Sequence, residues 1–355
     1  MTPHLFTPLV QRGLTLRNRL VMAPMCQYSA VEGRATDWHL AHLGSRAAGG
    51  LGALLAEATA VRPEGRISPD DLGLWDDGQV EPLRRVFAFV AAQGCVPGIQ
   101  LAHAGRKAST LPPWRGGRPV GANEGGWDAI VAPSALPFAP GHAVPRELDE
   151  AGIATVISAF GAAARRALEA GAQLVEVHAA HGYLLHQFLS PLTNRRHDRW
   201  GGDFAGRTRL VREVVAAIRA QWPDRLPMWV RLSCTDWVEG GWDEDQSVAL
   251  ARELAALGCD LVDCSSGGAV PDAVVPVGPG YQVRFAERLR REAGVATGAV
   301  GLVTTPAQAE EIVREGRADL VLLGRALLRE PHWPLQAARE LGATPPVPPQ
   351  YLRGW

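Results

Sequence analysis

Two patterns of hydrophobic and polar positions alternate along the chain. The first is a short, almost continuously apolar run, which is typical of strands buried on both faces of a parallel sheet. Eight such runs occur, at residues 19–24, 53–57, 97–101, 174–178, 228–232, 261–264, 296–300 and 320–323. The second pattern has apolar residues three and four positions apart, as at 152–169 and 207–221, and predicts amphipathic helices between the strands.

Glycine and acidic residues mark the ends of the predicted helices. Gly171, Gly258 and Gly316 each precede a short turn and an apolar run, where glycine takes a left-handed C-cap at little cost. Asp243 begins a cluster of acids that suits the positive N-terminal end of another helix. Eight β-then-α units without a break predict a closed (β/α)₈ barrel, or TIM barrel, in one α/β domain of residues 1–355. An open doubly wound sheet is the alternative.

Two regions interrupt the alternation. Residues 104–148 are rich in Pro, Gly and Trp, and loops this long are uncommon unless they are functional. We therefore predict a capping loop over the barrel mouth after the third strand. The prolines within residues 345–355 disfavour a helix and predict an extended C-terminal arm. A frayed end is the alternative, although Tyr351, Arg353 and Trp355 are costly residues for a solvated tail.

Composition and charge narrow the function classes. The formal net charge of −1 argues against nucleic acid or an anionic membrane as a partner. No run of about 18 apolar residues predicts a membrane span, and the N-terminal residues lack the pattern of a signal peptide. An odd number of cysteines without a Cys-x-x-Cys pair predicts free thiols in a reducing, cytoplasmic compartment and no zinc or iron–sulfur site. The cysteines are Cys26, Cys95, Cys234, Cys259 and Cys264.

A TIM barrel carries its reactive residues at the C-terminal ends of its strands, and this chain has unusual residues there. They are Cys26, Ala58, Gln100, His178, His181, Arg231, Gly301, Gly324 and Arg325. The loops after strands seven and eight commonly bind phosphate, so Gly301, Gly324 and Arg325 are candidates for an anion site. Glycine at a strand end is equally common as plain turn chemistry.

Two polar residues lie inside apolar strands. Arg231 needs a partner if it is buried, either a carboxylate such as Glu57 or Glu176 or an anion at the barrel mouth. A reduced flavin carries negative charge near N1 and O2, which an arginine would stabilise. Gln100 can both donate and accept hydrogen bonds, which suits the edge of a uracil-like ring.

The most specific local motif is the pair His178 and His181, followed by Tyr183. Two neutral imidazoles could donate hydrogen bonds to one carbonyl oxygen and stabilise a developing enolate, and Tyr183 could then protonate the α-carbon. A zinc site and a purely structural histidine are the alternatives, although no third metal ligand is obvious. Cys26 could equally be a small buried hydrophobe, and Tyr28 could be a core residue or a substrate contact.

Five segments together resemble the old yellow enzyme family, in particular its thermophilic-like branch, to which xenobiotic reductase A belongs. They are APMC at 23–26, followed by Tyr28, GIQLAHAGRK at 98–107, HAAHGYL at 178–184, NRRHDRWGG at 194–202 and QYLRGW at 350–355. The resemblance covers essentially the whole chain with the motifs in order. One departure is the stretch 298–302, which lacks the active-site tryptophan that xenobiotic reductase A has after strand seven, so the substrate preference stays open.

The resemblance implies a TIM barrel that binds FMN non-covalently, is reduced by NADPH or NADH, and passes hydride from flavin N5 to the β-carbon of an activated alkene. It implies flavin contacts for Ala23, Pro24, Met25, Cys26, Ala58, Gln100, Arg231, Gly301, Gly324 and Arg325. It implies substrate or catalytic roles for Tyr28, His178, His181 and Tyr183. It also implies a homodimer or homotetramer in which Arg353 of the C-terminal arm completes a neighbouring subunit's site.

Three other functions are the alternatives to alkene reduction. A dienoyl-CoA reductase-like enzyme would be expected to be longer and to carry a cysteine-rich cluster motif. A flavin-dependent tRNA dihydrouridine synthase would need a basic RNA surface. A non-catalytic flavin redox sensor would not need His178, His181 and Tyr183 together.

Overall fold

The eight predicted apolar runs form the eight strands of a closed parallel barrel. The structure is a computed structural model describing residues 2–355; Met1, the first residue of the predicted domain, lies outside the described residues. Neighbouring strands pair in chain order and the last pairs with the first, so the predicted TIM barrel is confirmed and the open sheet is excluded. The strands are β1 (Leu20–Met22), β2 (Ala53–Ala60), β3 (Val96–Ala102), β4 (Leu174–Ala179), β5 (Met228–Ser233), β6 (Leu261–Ser265), β7 (Thr297–Ala299) and β8 (Leu320–Leu323).

Helices surround the barrel, and several of them begin at a capping side chain, such as Asp149, Asp203 or Thr305. They are α1 (Asp37–Ala48), α2 (Val80–Ala92), α3 (Glu150–Glu169), α4 (Leu184–Leu189), α5 (Phe204–Arg219), α6 (Glu244–Ala256), α7 (Val283–Ala293), α8 (Pro306–Arg314), α9 (Arg325–Arg329) and α10 (Trp333–Glu340). The helix start predicted at Asp243 is confirmed, and the Asp243 carboxylate caps that helix by accepting from the Gln246 N–H. Gly171, Gly258 and Gly316 have φ of 90°, 92° and 68°, which is the left-handed conformation predicted for them.

Two apolar layers hold the barrel together. The interior is filled by side chains such as Leu55, Leu174 and Leu322, whereas the larger layer lies between the strands and the helices. A hairpin of residues Leu9–Gln11 and Leu14–Leu16 packs at the N-terminal end of the strands, where the Trp229 indole N–H donates to Gln11 Oε1 at 2.8 Å. The N-terminal end is therefore closed, and the C-terminal end is left for the site.

The predicted capping loop at residues 104–148 is irregular, with three 3₁₀ turns and a short ribbon formed by Val131–Ala132 and Arg146–Glu147. It packs over the barrel mouth, where the Trp114 ring meets the Tyr28 ring edge-on at 5.4 Å. The prediction of an extended arm was wrong for the last residues, because Pro349–Gly354 form a 3₁₀ helix. Proline is compatible with the first turn of a helix, so the proline run did not prevent this turn. No helix within residues 2–355 is both long enough and apolar enough to cross a membrane.

Candidate active site

The strand register gathers the predicted residues at the C-terminal mouth of the barrel. Ala58 lies opposite Gln100 on β3, and His178 lies opposite Arg231 on β5. Strand β1 ends at Met22, two residues earlier than predicted, so residues 23–26 lie in the loop that follows. Ala58 lies within β2 rather than after it, beside an irregularity in the β2–β3 pairing.

Three aromatic rings lie together at the end of β4. The His178 ring lies 5.2 Å from the His181 ring and 5.0 Å from the Tyr183 ring, both edge-on. The rings meet because β4 stops at Ala179 and the chain turns sharply, with His181 at φ 58° and Gly182 at φ 72°, before α4 begins. The sequence motif therefore corresponds to a real side-chain cluster.

The hydrogen bonds within this cluster fix the imidazole tautomer of His178. The Ala180 N–H donates to His178 Nδ1 at 3.3 Å, so the ring proton is on Nε2, which becomes a donor. His181 Nε2 contacts the Ser265 hydroxyl at 2.7 Å. If that hydroxyl donates, the His181 proton is on Nδ1 and the second ring also presents one donor. No cluster of three potential metal ligands occurs within residues 2–355, so the zinc alternative gains no support.

Burial keeps both imidazoles neutral. It lowers the pKa of His178 and of His181 well below the ordinary value, and the charge of Arg231 lowers both pKa values further. Burial also raises the pKa of the Tyr183 phenol, with smaller contributions from Cys26 and Tyr28. At neutral pH the cluster therefore offers neutral hydrogen-bond donors and a protonated phenol.

Arg231 and Gln100 each have a buried acidic partner. Arg231 Nε lies 2.9 Å from Asp263 Oδ2, so its buried partner is a barrel carboxylate, but neither Glu57 nor Glu176, because the register places Asp263 directly opposite Arg231. Gln100 Nε2 donates to Glu176 Oε1 at 2.8 Å, which leaves the Gln100 carbonyl oxygen as an acceptor. Burial and the nearby Asp263 raise the pKa of Glu176 to about 8.

A cavity lies at the ends of β7 and β8. Its volume is about 210 Å³, and its lining includes Gly301, Gly324, Arg325 and Arg329. Gly301 has a φ of 121°, which favours glycine, and a Cβ on Gly324 would meet only Met25 Sδ at 3.6 Å. The three predicted anion-site residues, Gly301, Gly324 and Arg325, thus line one cavity, and Arg329 lines it as well.

Cys26 and Tyr28 lie beside the histidine cluster, on the loop after β1. Burial raises the pKa of the Cys26 thiol well above its ordinary value, with smaller contributions from Asp71 and Glu57, so it is not a thiolate at neutral pH. Tyr28 has a φ of 48°, and burial together with Cys26 raises the pKa of its phenol.

Arg353 is exposed in the terminal 3₁₀ helix and is not brought to the histidine cluster of its own chain. The neighbouring Tyr351 packs on His332, and Arg339 lies over the Trp355 ring. The arm therefore lies against α10 of this chain.

Sequence reasoning missed Lys107, Asp263 and Ser265. Lys107 Nζ donates to the His181 carbonyl at 2.8 Å and lies 4.9 Å from the centre of the Tyr183 ring. Lys107 stands in a quoted motif, which is a usable signal, but its partner lies 74 residues away. Asp263 and Ser265 lie in an apolar strand and become informative only through the register with β5.

Known proteins resemble this chain over almost its whole length. Residues 4–343 match the model of the NADH:flavin oxidoreductase / NADH oxidase family. The NADPH dehydrogenase of Geobacillus thermodenitrificans is 47% identical over 357 residues, which cover 100% of this chain and 99% of that protein. This chain belongs to the NADH:flavin oxidoreductase / NADH oxidase family. The NADPH dehydrogenase of Listeria monocytogenes is 48% identical over 353 residues, covering 99% of each chain.

Solved structures agree with this membership. Morphinone reductase has a TM-score of 0.79 at 29% identity and covers 97% of this chain and 91% of that one. The old yellow enzyme homologue from Zymomonas mobilis has a TM-score of 0.79 at 27% identity and covers 95% and 93%. A 2-naphthoyl-CoA reductase has a TM-score of 0.86 at 25% identity, but this chain spans only 53% of it. The resemblance to the old yellow enzymes is thereby confirmed, and the chain is an FMN oxidoreductase with a nicotinamide reductant.

Proposed function

We propose that this enzyme reduces alkenes activated by a conjugated carbonyl or nitro group. The observation that carries the proposal is the group of His178, His181 and Tyr183 rings at the barrel mouth, with both imidazoles neutral. Such a group is suited to binding an oxygen that gains negative charge during the reaction. A flavoprotein that only senses redox state would have no use for it.

The two histidines act as hydrogen-bond donors to the substrate oxygen. His178 donates through Nε2, since its Nδ1 accepts from the Ala180 N–H. His181 donates through Nδ1 in the tautomer in which its Nε2 accepts from the Ser265 hydroxyl. Both bonds strengthen as the oxygen becomes an enolate or a nitronate, so they stabilise the transition state more than the ground state. A histidine that is already neutral needs no proton loss for this role.

FMN, when bound, would supply the hydride for the β-carbon, with NADPH as the source of the electrons. Tyr183 supplies the proton that reaches the α-carbon, and solvent then returns a proton to its phenolate. The raised pKa of Tyr183 keeps the phenol protonated until that step. The products are the saturated carbonyl or nitro compound and NADP⁺. Tyr28, beside the same cluster, forms a further substrate contact.

The polar groups at the mouth fit the FMN ring. Gln100 has a free carbonyl oxygen for a ring N–H, because Glu176 occupies its amide nitrogen. Arg231, whose Nε lies 2.9 Å from Asp263 Oδ2, would stabilise negative charge on the reduced ring. Ala23, Pro24, Met25 and Ala58 would line the ring, and the protonated Cys26 thiol would tune its potential.

The cavity at the ends of β7 and β8 fits the FMN phosphate. Gly301 and Gly324 let the backbone approach an anion closely, and Arg325 supplies positive charge. We further propose that residues 1–355 form one catalytic domain, that the enzyme is cytoplasmic, as its five free cysteines suggest, and that it is a homodimer or homotetramer. In that assembly Arg353 completes the site of a neighbouring subunit.

The double variant His178→Ala, His181→Ala tests the substrate role. It should retain FMN but bind phenol about 100-fold more weakly, because two hydrogen bonds to a charged oxygen are each worth about 1.5 kcal/mol. Phenol titration followed by flavin absorbance measures this, and the exposed His197→Ala is the matched control. Unchanged phenol affinity in the double variant removes the histidines from the site.

Tyr183→Phe separates proton delivery from binding. The variant keeps the ring but loses the hydroxyl, so phenol affinity should be close to that of the wild type. Enone reduction should fall by about 10²- to 10⁴-fold, the usual contribution of a general acid. Stopped-flow reoxidation of the reduced flavin by 2-cyclohexenone is the measurement. A wild-type rate would assign the proton to another donor.

A further inference from the structure

The turn between β4 and α4 has an unusual backbone. His181 has a φ of 58° and Gly182 a φ of 72°, and a Cβ on Gly182 would lie only 1.8 Å from the Gly268 carbonyl oxygen. A left-handed histidine costs free energy and persists only where its surroundings hold it. This turn carries the His181 and Tyr183 side chains.

Four side chains from different parts of the chain hold this turn. The His181 N–H donates to Ser233 Oγ at 2.9 Å, and the His181 carbonyl accepts from Lys107 Nζ at 2.8 Å. The Gly182 N–H donates to His186 Nδ1 at 2.8 Å, and the Gly182 carbonyl accepts from Gln187 Nε2 at 2.7 Å. We call Lys107, His186, Gln187 and Ser233 the turn clamp. It satisfies the N–H and the carbonyl of both residues.

His186 is itself fixed by a buried acid. Its Nε2 lies 2.9 Å from Asp236 Oδ1, and both side chains have no solvent exposure. Asp236 Oδ2 accepts from the Ser190 hydroxyl at 2.5 Å and from the Trp242 N–H at 2.8 Å. Since His186 Nδ1 accepts from the Gly182 N–H, the proton of the neutral ring is on Nε2, the nitrogen that lies near Asp236. His186 thus contacts the turn through one ring nitrogen and Asp236 through the other.

We propose that His186 is a positioning residue whose Nδ1, by accepting from the Gly182 N–H, holds the turn so that His181 and Tyr183 face the substrate. This inference rests on the proposed alkene reduction. His186 touches neither substrate nor flavin in this account and acts only through the Gly182 N–H. Misplacing a reacting group by about 1 Å can cost about 100-fold in rate, which gives the contact its importance.

Two isosteric variants separate positioning from general stability. The side-chain oxygen of Asn lies near the position of Nδ1, so His186→Asn keeps an acceptor for the Gly182 N–H but loses the contact with Asp236. The amide of Gln lies near the position of Nε2, so His186→Gln keeps the Asp236 contact but loses the Gly182 acceptor. Each loses one buried partner, and both should therefore lower the Tm.

The holoenzymes are compared by phenol affinity and by flavin reoxidation with 2-cyclohexenone. His186→Asn should stay within about threefold of the wild type, whereas His186→Gln should lose about 10- to 100-fold in both measurements. Reoxidation by molecular oxygen, which needs no carbonyl anchor, should be unchanged in both. The proposal is overturned if the losses of phenol affinity and reoxidation rate are in proportion to the fall in Tm, or if they are equal in the two variants.

If His186→Gln does not fold, Ser233→Ala provides a second test of the turn clamp. It removes the acceptor of the His181 N–H and should weaken phenol binding about tenfold; wild-type affinity would overturn the clamp. If the wild type reduces no enone, the proposed function fails, while phenol binding still tests the clamp. If the wild type reduces enone and the variants do not differ, only the clamp fails.

Discussion

At the scale of single residues, burial determines the chemistry of the site. It lowers the pKa of both cluster histidines, and Arg231, anchored by Asp263, lowers both pKa values further. The same arginine would stabilise negative charge on a reduced flavin. One buried cation thus adds to the effect of burial on both histidine pKa values and, in the proposed complex, would also stabilise the reduced flavin.

Lys107 gives a pH-dependent prediction at this scale. Burial, and then the charge of Arg106, lower its pKa from 10.5 to about 8. Between these values the unfolded chain binds more protons than the folded protein, so this group's contribution to the free energy of unfolding rises with pH. Urea unfolding with excess FMN should show the wild type gaining stability relative to Lys107→Met as the pH rises above 8. A difference that is independent of pH would contradict the lowered pKa.

The sequence grouped the residues that we propose to face ligands better than the residues that support them. His178, His181 and Tyr183 stand close together in one motif, so local spacing is enough to group them. The partner of Arg231 depends on the register of β5 and β6, which no local pattern encodes.

At the scale of elements, the strands were predicted well because both faces are buried and their sequences are nearly all apolar. Ends were less exact, since β2 continues to Ala60 where the pattern stopped at residue 57. The terminal 3₁₀ helix was missed because a single short turn has no periodic signature.

The C-terminal arm supports a prediction at this scale. Removing residues 351–355 should reduce both subunit association and enone reduction if Arg353 enters a neighbouring site. Arg353→Ala in the full-length chain should reduce activity while leaving the assembly intact, which separates the side chain from the arm. Analytical ultracentrifugation and steady-state kinetics are the measurements. A fully active truncated monomer would refute the role in trans.

At the scale of the whole molecule, the barrel places every proposed contact at one end. The hairpin Leu9–Gln11 and Leu14–Leu16 closes the opposite end, and the capping loop covers the mouth. Family membership extends over residues 4–343, so the agreement between barrel and motifs is not confined to the histidine segment. Because the strands close into a barrel, a site is expected at their C-terminal ends.

Anaerobic half-reactions test the central claim most directly. Purified protein should be yellow, release FMN on denaturation, and lose its visible flavin absorbance on addition of one equivalent of NADPH. Addition of 2-cyclohexenone under anaerobic conditions should then restore the oxidised spectrum and yield cyclohexanone. A flavin that NADPH reduces but that neither an enone nor a nitroalkene reoxidises would contradict alkene reduction.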